Sequence, residues 1–145
     1  MDRSKKKTVL RRKYLLEVKK LLLADGKLND AEVARRKWKV HLMDEKIIFD
    51  EDARKLASAF KTQGASIFHA ARVSDVISSN NVLIVYDFDA TEAGVEAFQG
   101  EAYFEMNFDD CVFFNLPTTC VVLRPGDTDV TVFAGNAAFI GEMVD

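Results

Sequence analysis

Apolar positions recur at helical spacing in the first part of the chain and give way to strand-like patterns near residue 79. Residues 8–24 predict a helix, because five apolar side chains fall on one helical face: Leu10, Tyr14, Val18, Leu21 and Leu22. Asp25 and Gly26 follow directly, and a glycine at this position can adopt the left-handed conformation that closes a helix. The pattern therefore predicts a first helix that packs on a core through one face.

Three further segments of the first half carry helical patterns. Asn29 or Asp30 is expected to cap a second helix that runs through about Leu42. A third helix is expected to begin at Asp50, since apolar side chains recur at helical spacing after it. Residues 65–78 fit a helix better than a strand.

The second half predicts a sheet. An apolar run at residues 82–86 has the length of a buried strand, and apolar and polar side chains alternate over residues 102–109. A short helix is expected at residues 92–99. Further strands are expected at residues 111–114, 118–124, 130–134 and 137–144.

The order of these elements predicts the fold class. Helices first and strands later indicate an α+β fold with basic N-terminal helices packed on a mainly antiparallel C-terminal sheet, because parallel sheets need alternating crossovers. The chain length suits a single domain of residues 1–145. Within it, residues 1–78 are expected to be mainly helical and basic, and residues 79–145 mainly strands and acidic.

Charge is sorted along the chain in the same way. Residues 1–40 hold 14 Lys or Arg against 5 Asp or Glu, and residues 81–145 hold 1 against 12, although the whole chain is only −3. Asymmetry of this size usually reflects what each part of a protein touches. It therefore indicates partners more than chemistry.

The sequence also predicts a compartment. Cys111 and Cys120 are too few for a disulfide framework and lack the spaced partners of a zinc site, so they are expected to be buried thiols. No apolar stretch approaches the length of a membrane span, and no cleavable leader follows the basic N-terminus. We therefore expect a soluble, cytoplasmic protein with no membrane span.

The basic segment is the first candidate for function. Ten residues of the predicted helices would contact nucleic acid or an acidic partner: Arg11, Arg12, Lys13, Lys19, Lys20, Arg35, Arg36, Lys37, Trp38 and Lys39. Cations neutralise phosphates, and an exposed Trp38 ring could stack on a base. Trp38 also fits the inner face of the second helix beside Leu42, where it would pack in the core. The alternative interpretation is a solvated surface or one that faces another protein.

The acidic half suggests a different class of function. Its outer sheet face, with Glu101, Glu105, Asp109 and Asp110, could bind a basic partner, as small inhibitors and immunity-type proteins do. A further alternative is a homo-oligomer, in which the basic helices of one copy dock on the acidic sheet of the next.

A short acidic motif follows the apolar run at residues 82–86. Asp87 and Asp89, with Thr91 after them, resemble the first motif of the haloacid dehalogenase superfamily over about ten residues. The resemblance implies that Asp87 is a nucleophile, that Asp89 is the general acid and base, and that Mg²⁺ is held by carboxylates. The cation that neutralises the phosphate in that family could only be Arg124, since no Lys follows Asp89. The alternative is a strand whose polar end caps the next turn.

These observations favour a non-enzymatic interaction or assembly protein whose basic N-terminal helices contact nucleic acid or an acidic partner. No cofactor or metal site is expected, because His41 and His69 have neither metal-ligand nor triad spacing. The first alternative is the acidic inhibitor or immunity-type protein. The second is a phosphohydrolase that uses Asp87 and Asp89.

Overall fold

The computed structural model describes residues 6–45, 48, 50–98, 109–124 and 130–144. Its strands are β1 (Lys6–Leu10), β2 (Lys39–Met43), β3 (Ile67–Arg72), β4 (Leu83–Asp89), β5 (Cys111–Phe114), β6 (Cys120–Arg124) and β7 (Thr131–Gly135). Its helices are α1 (Arg12–Lys19), α2 (Asp30–Arg35), α3 (Asp50–Thr62), α4 (Val73–Ser78), α5 (Glu92–Phe98) and α6 (Ala137–Met143).

The strands of the described residues form one sheet in the order β1-β4-β3-β5-β6-β7-β2, with every neighbouring pair antiparallel. β1 and β2 therefore lie at opposite edges, although both come from the first 45 residues. Apolar side chains on each face of the sheet pack into a separate cluster with helices.

One sheet face packs an aromatic core against α3, α5 and α6. Phe60 of α3 stacks on Phe68 of β3 with ring centroids 4.9 Å apart, and Phe98 of α5 meets the Phe113 ring edge-on at 4.7 Å. Such pairs add about 0.5–1.5 kcal/mol beyond the area they bury. Gly94 lets α5 lie directly on the end of β4, because a Cβ there would overlap a backbone oxygen of Asp89.

The opposite face, which we call the α1/α2/α4 face, is aliphatic. Leu15 and Val18 of α1 and Val33 of α2 are buried in one cluster with Val85 and Val112 of the sheet. Buried side chains of α1, α2 and α4 therefore share one cluster with side chains of the sheet.

The α+β class is confirmed, and so are several of its elements. Helix α3 begins at Asp50 as predicted, and α5 falls on the expected residues 92–99. Strands β4 to β7 coincide with four of the predicted apolar runs. The predicted strand at residues 102–109 lies outside the described residues, apart from its last position.

The finer expectation, in which the N-terminal part supplies only helices to a C-terminal sheet, is not confirmed. Residues 6–10 form strand β1, and α1 begins only at Arg12 and ends at Lys19. Leu10 and Tyr14 have helical spacing, but Thr8 and Leu10 also alternate with the exposed Val9. Pairing with β4 favours the strand in this ambiguous segment.

The predicted second helix is too long. Helix α2 ends at Arg35, because Lys37 adopts a left-handed conformation and the Trp38 amide donates back to the carbonyl of Val33. The chain then enters strand β2, where it pairs with β7. Trp38 and Leu42, which have the spacing of one helical face, therefore lie outside any helix.

Two other predictions also failed. Residues 67–72 of the ambiguous segment 65–78 form strand β3, and only its end forms helix α4. Residues 137–144 were expected to be a strand, but 137–143 form helix α6, because the Asn136 side chain accepts from the Phe139 amide and caps the helix.

Within the described residues, no helix has the length and apolar character needed to cross a membrane.

Candidate functional site

A basic groove lies between α1 and α2. It has a volume of about 660 Å³ and contains four cations from two separate segments: Lys13, Lys20, Arg35 and Arg36. Tyr14, Leu16, Glu17 and Pro117 complete its lining. Lys13 and Lys20 lie seven positions apart, which is nearly two helical turns, so both project from the same side of α1.

Helix α2 positions the two arginines. The Asn29 side chain accepts hydrogen bonds from the amides of Ala31 and Glu32 and fixes the start of the helix. The Glu32 carboxylate then accepts from Arg35 at 3.1 and 2.5 Å and from Arg36 at 2.8 Å. The hydrogen bonds from Arg35 and from Arg36 lower the pKa of Glu32 from 4.5 to about 2. One carboxylate therefore orders two guanidinium groups and neutralises only one of their charges.

Arg36 also connects the groove to the sheet. Its Nη1 donates to the carbonyl oxygen of Thr118 at 3.2 Å, and the amide of Thr118 donates to the Glu17 carboxylate at 3.3 Å. Both α1 and α2 are thus joined to the connection between β5 and β6. Glu17, the one carboxylate among the described residues that line the groove, is directed at a backbone donor.

Trp38 is not fully exposed, and its role as a base-stacking ring stays a prediction. It is half-buried, packs against the aliphatic core of the α1/α2/α4 face, and carries the Arg36 guanidinium 5.0 Å from its ring centroid. Its contact with Arg36 is a cation–π interaction that holds the arginine at the groove.

The remaining predicted cations lie outside the groove lining. Arg11 and Arg12 are exposed at the start of α1, Lys37 is exposed between α2 and β2, and Lys39 is exposed as the first residue of β2. Lys19 donates to the carbonyl oxygen of Ser79 at 2.7 Å and is directed away from the groove. The structure therefore brings together four of the ten predicted residues.

The predicted acidic surface can be followed only in part. Glu101 and Glu105 lie outside the described residues. Asp109 and Asp110 are exposed just before β5, where the Asp109 carboxylate lies 2.9 Å from Nε of Arg72. The sheet face proposed for a basic partner therefore stays a prediction.

A hydrogen-bonded group that the sequence did not reveal crosses three strands. Nδ1 of His69 in β3 lies 2.7 Å from Oδ1 of Asp87 in β4, and the Thr8 hydroxyl of β1 donates to Oδ2 at 2.6 Å. The His69 side chain is only 7% exposed. Because a carboxylate only accepts, Nδ1 carries the proton. His69 and Asp87 are 18 positions apart and become neighbours only through the β3–β4 register.

This group changes the interpretation of Asp87. Both of its carboxylate oxygens accept hydrogen bonds within the sheet, whereas Asp89 at the end of β4 is exposed. A carboxylate nucleophile needs an oxygen directed at its substrate. The geometry therefore gives no support to the phosphohydrolase alternative, which stays an untested prediction.

The two cysteines are free and buried, as expected. Burial raises the pKa of the Cys111 thiol to about 12 and raises that of Cys120 as well. Next to Cys111 in the sheet lies Arg124, which is almost fully buried and has its guanidinium 5.2 Å from the centroid of the Phe98 ring. Burial lowers the pKa of Arg124. Because burial raises the pKa of both thiols, Cys111 and Cys120 stay protonated near neutral pH and are poor nucleophiles.

Among the described residues, one group of carboxylates is close enough to hold a metal ion. Oxygens of Asp50, Glu92 and Glu96 lie within 4.8 Å of one another at the start of α3 and in α5. Glu96 accepts from the Asp50 amide at 2.9 Å, and Glu92 lies 3.6 Å from Arg54. Through these contacts the carboxylates of Glu92 and Glu96 link α5 to α3.

Comparison with models of known families, with curated proteins and with solved structures finds no match to this chain.

Proposed function

We infer that the protein binds nucleic acid through the groove between α1 and α2, without a catalytic step. The observation that carries this proposal is the convergence of Lys13, Lys20, Arg35 and Arg36 on one open groove. Phosphate contacts made by Lys and Arg dominate nucleic-acid affinity and need no base-specific geometry.

The carboxylates near the groove strengthen the argument. Glu17 accepts from the Thr118 amide, and Glu32 is shared by the two arginines. Four cations against these two carboxylates leave a net charge of about +2. This surplus is supplemented by exposed Arg12 and Lys37 on the same two segments.

The groove also offers a surface for a base. Tyr14 is half-exposed in its lining, with the Lys13 ammonium 5.6 Å from the ring centroid. An aromatic ring beside cations is the arrangement with which proteins bind single strands of any sequence. Tyr14 and Trp38 are both partly buried against the same cluster, but only Tyr14 lines the groove, so Tyr14 is the aromatic residue that we expect to contact a base.

Salt-dependent binding tests the proposal. We expect fluorescence anisotropy with a labelled single-stranded oligonucleotide to give a binding constant that falls as salt rises from about 50 to about 200 mM, with a slope near −0.7 for each phosphate neutralised. The combined substitution Lys13→Glu and Lys20→Glu should weaken binding by more than about tenfold and reduce that slope by about 1.4.

The matched control reverses two exposed lysines elsewhere. Lys27→Glu with Lys61→Glu makes the same change in net charge, but neither residue lines the groove. We expect this control to have the smaller effect. Equal losses in both double variants, absence of binding at low salt, or binding to polyglutamate alone would each contradict the proposal.

A further inference from the structure

Strand β2 is an edge strand with apolar side chains in solvent. Among the described residues it pairs only with β7, and none of them pairs with the backbone groups on its other side. Leu42 is 61% exposed and Val40 is 44% exposed, and both lie on the α1/α2/α4 face. Edge strands are usually protected by proline, by charges along the strand or by a covering segment. Among the described residues of β2, only Lys39, at one end, carries such a charge.

The charges around β2 are polarised. Lys37 and Lys39 lie at its beginning, and Asp44 and Glu45 follow its end; all four are exposed. An antiparallel partner with the same sequence would place the basic end of each strand beside the acidic end of the other. Edges that carry one sign of charge throughout would instead repel their own copies.

Two-fold symmetry restricts how two such strands can pair. Directly opposite residues share a sheet face, so a two-fold axis perpendicular to the sheet must lie between the two strands, midway between one residue and the same residue of the second copy. An axis at His41 places Val40 opposite Leu42 of the second copy, and it brings Lys37, which precedes β2, towards Glu45 of the second copy, which follows it. In this register the exposed apolar side chains of the two copies contact each other, and the opposite charges of the two copies lie close together.

We propose that β2 pairs with β2 of a second copy of this chain, antiparallel and centred on His41, to form one continuous sheet across the dimer. The partner is a second copy because the exposed apolar positions of β2 are self-complementary and the residues that flank β2 have opposite charges at its two ends. A groove of about 550 Å³ beside it, lined by Leu23, Val40, Leu42 and Val132 among others, extends the apolar surface available to the contact.

Oligomeric state tests this proposal directly. Short interfaces of this kind belong to the weak class, so sedimentation equilibrium should cover protein concentrations from about 1 µM to about 1 mM. We expect a monomer–dimer equilibrium that Leu42→Lys weakens by at least about tenfold, which is 1.4 kcal/mol. Leu42 is exposed, and the lysine that replaces it would be exposed too, so the variant is expected to fold. A melting curve shows whether it does.

The other sheet edge supplies the matched control. Val9 in β1 is 52% exposed, and Val9→Lys introduces the same side chain on the opposite edge. We expect less than about a twofold change in dimer dissociation constant from this variant. A protein that stays monomeric over the whole range, a dimer that Leu42→Lys leaves intact, or one that both variants weaken equally would overturn the proposal.

Cross-linking tests the register. In the proposed dimer the two copies of residue 41 face each other, so His41→Cys should form a disulfide-linked dimer on mild oxidation. Lys39→Cys is the control, because its counterpart in the second copy would lie four positions away, at about 13 Å. Equal cross-linking of both variants, or none of His41→Cys, would contradict the register.

A charge exchange provides an independent check. The substitution Glu45→Lys alone brings a lysine close to Lys37 of the second copy. We expect this variant to associate about two- to fivefold more weakly. Adding Lys37→Glu should restore association, because each pair again has opposite signs. Failure of the second substitution to restore dimerisation would exclude this pairing of charges.

Discussion

The two edges of the sheet differ in how they are held and in what they show to solvent. Strand β1 begins with two lysines and is connected to β4 by the hydrogen bond from Thr8 to Asp87, a carboxylate that β3 also contacts through His69. Strand β2 is connected through the Thr131 hydroxyl, which donates to the Glu45 carbonyl at 2.7 Å. At the β1 edge the hydrogen-bond acceptor is the carboxylate of Asp87, whereas at the β2 edge it is the neutral backbone carbonyl of Glu45.

This difference has a consequence for association. Cations lie at both ends of β1, as its first two residues, Lys6 and Lys7, and after its end at Arg11 and Arg12, so an antiparallel copy of β1 would meet like charges. Cations and carboxylates flank β2 on opposite sides. One edge therefore opposes self-pairing and the other favours it, although each exposes an apolar residue.

The largest expected effect comes from Asp87→Asn. The substitution removes the charge that both Thr8 and His69 contact and places an amide donor against one of them, so we expect a loss of about 3 kcal/mol in the free energy of unfolding. Urea denaturation measures it. Asp89→Asn, an exposed control on the same strand, should cost less than about 0.5 kcal/mol. Similar losses for the two variants would show that the buried hydrogen bonds at β1 contribute little.

A matched pair of threonine substitutions compares the two edges directly. Thr8→Val leaves a carboxylate oxygen without its donor, and we expect it to cost about 2 kcal/mol in the free energy of unfolding. Thr131→Val leaves the neutral carbonyl of Glu45 without its hydrogen-bond donor and should lower the free energy of unfolding by about 1 kcal/mol. Both replacements keep the side-chain shape, and the same urea experiment applies. The reverse ranking would contradict the view that β1 is the more firmly held edge.

The smallest effect is expected at Glu32, in the helix that leads into β2. Its pKa in the folded protein, about 2, lies below the ordinary value of 4.5, so its contribution to stability is fully present above pH 4.5 and is lost as pH falls towards 2. Because Arg35 is largely exposed, we expect Glu32→Gln to cost about 0.5 kcal/mol at pH 7.

Two measurements check the role of Glu32. The difference in unfolding free energy between wild type and Glu32→Gln should shrink as pH falls from 4.5 towards 2. The same variant should bind a single-stranded oligonucleotide more tightly, since it releases two arginines beside the groove. A difference that does not change over this pH range would show that the ion pairs contribute nothing to stability.

The sequence predicted those elements whose local and tertiary preferences agree. Helix α3 has an acidic first turn and strict helical spacing, and its apolar face at Leu56 and Phe60 is buried as expected. The edge strands were missed because Leu10 with Tyr14, and Trp38 with Leu42, satisfy a helical period as well as a strand period. Pairing with distant strands resolves this ambiguity, and spacing alone cannot show such pairing.

The candidate site, like the fold, was predictable from the sequence only in part. Charge counting found the cations of α1 and α2, because composition needs no knowledge of the fold. It could not show that Glu32 would occupy both Arg35 and Arg36, or that Lys19 would turn towards Ser79. The contact between His69 and Asp87 depends on strand register, and the sequence contains no signal for that register before the strands are paired.

The position of β1 and β2 at the two edges also bears on how the chain folds. Residues paired between β1 and β4 are 73–81 positions apart, and those paired between β2 and β7 are 88–96 apart, whereas those of β5 and β6 are 7–13 apart. This high contact order places the protein among slow folders, with refolding times of about milliseconds to seconds. The hairpins of β5, β6 and β7 can form early, and each edge must wait until a long loop of chain has closed.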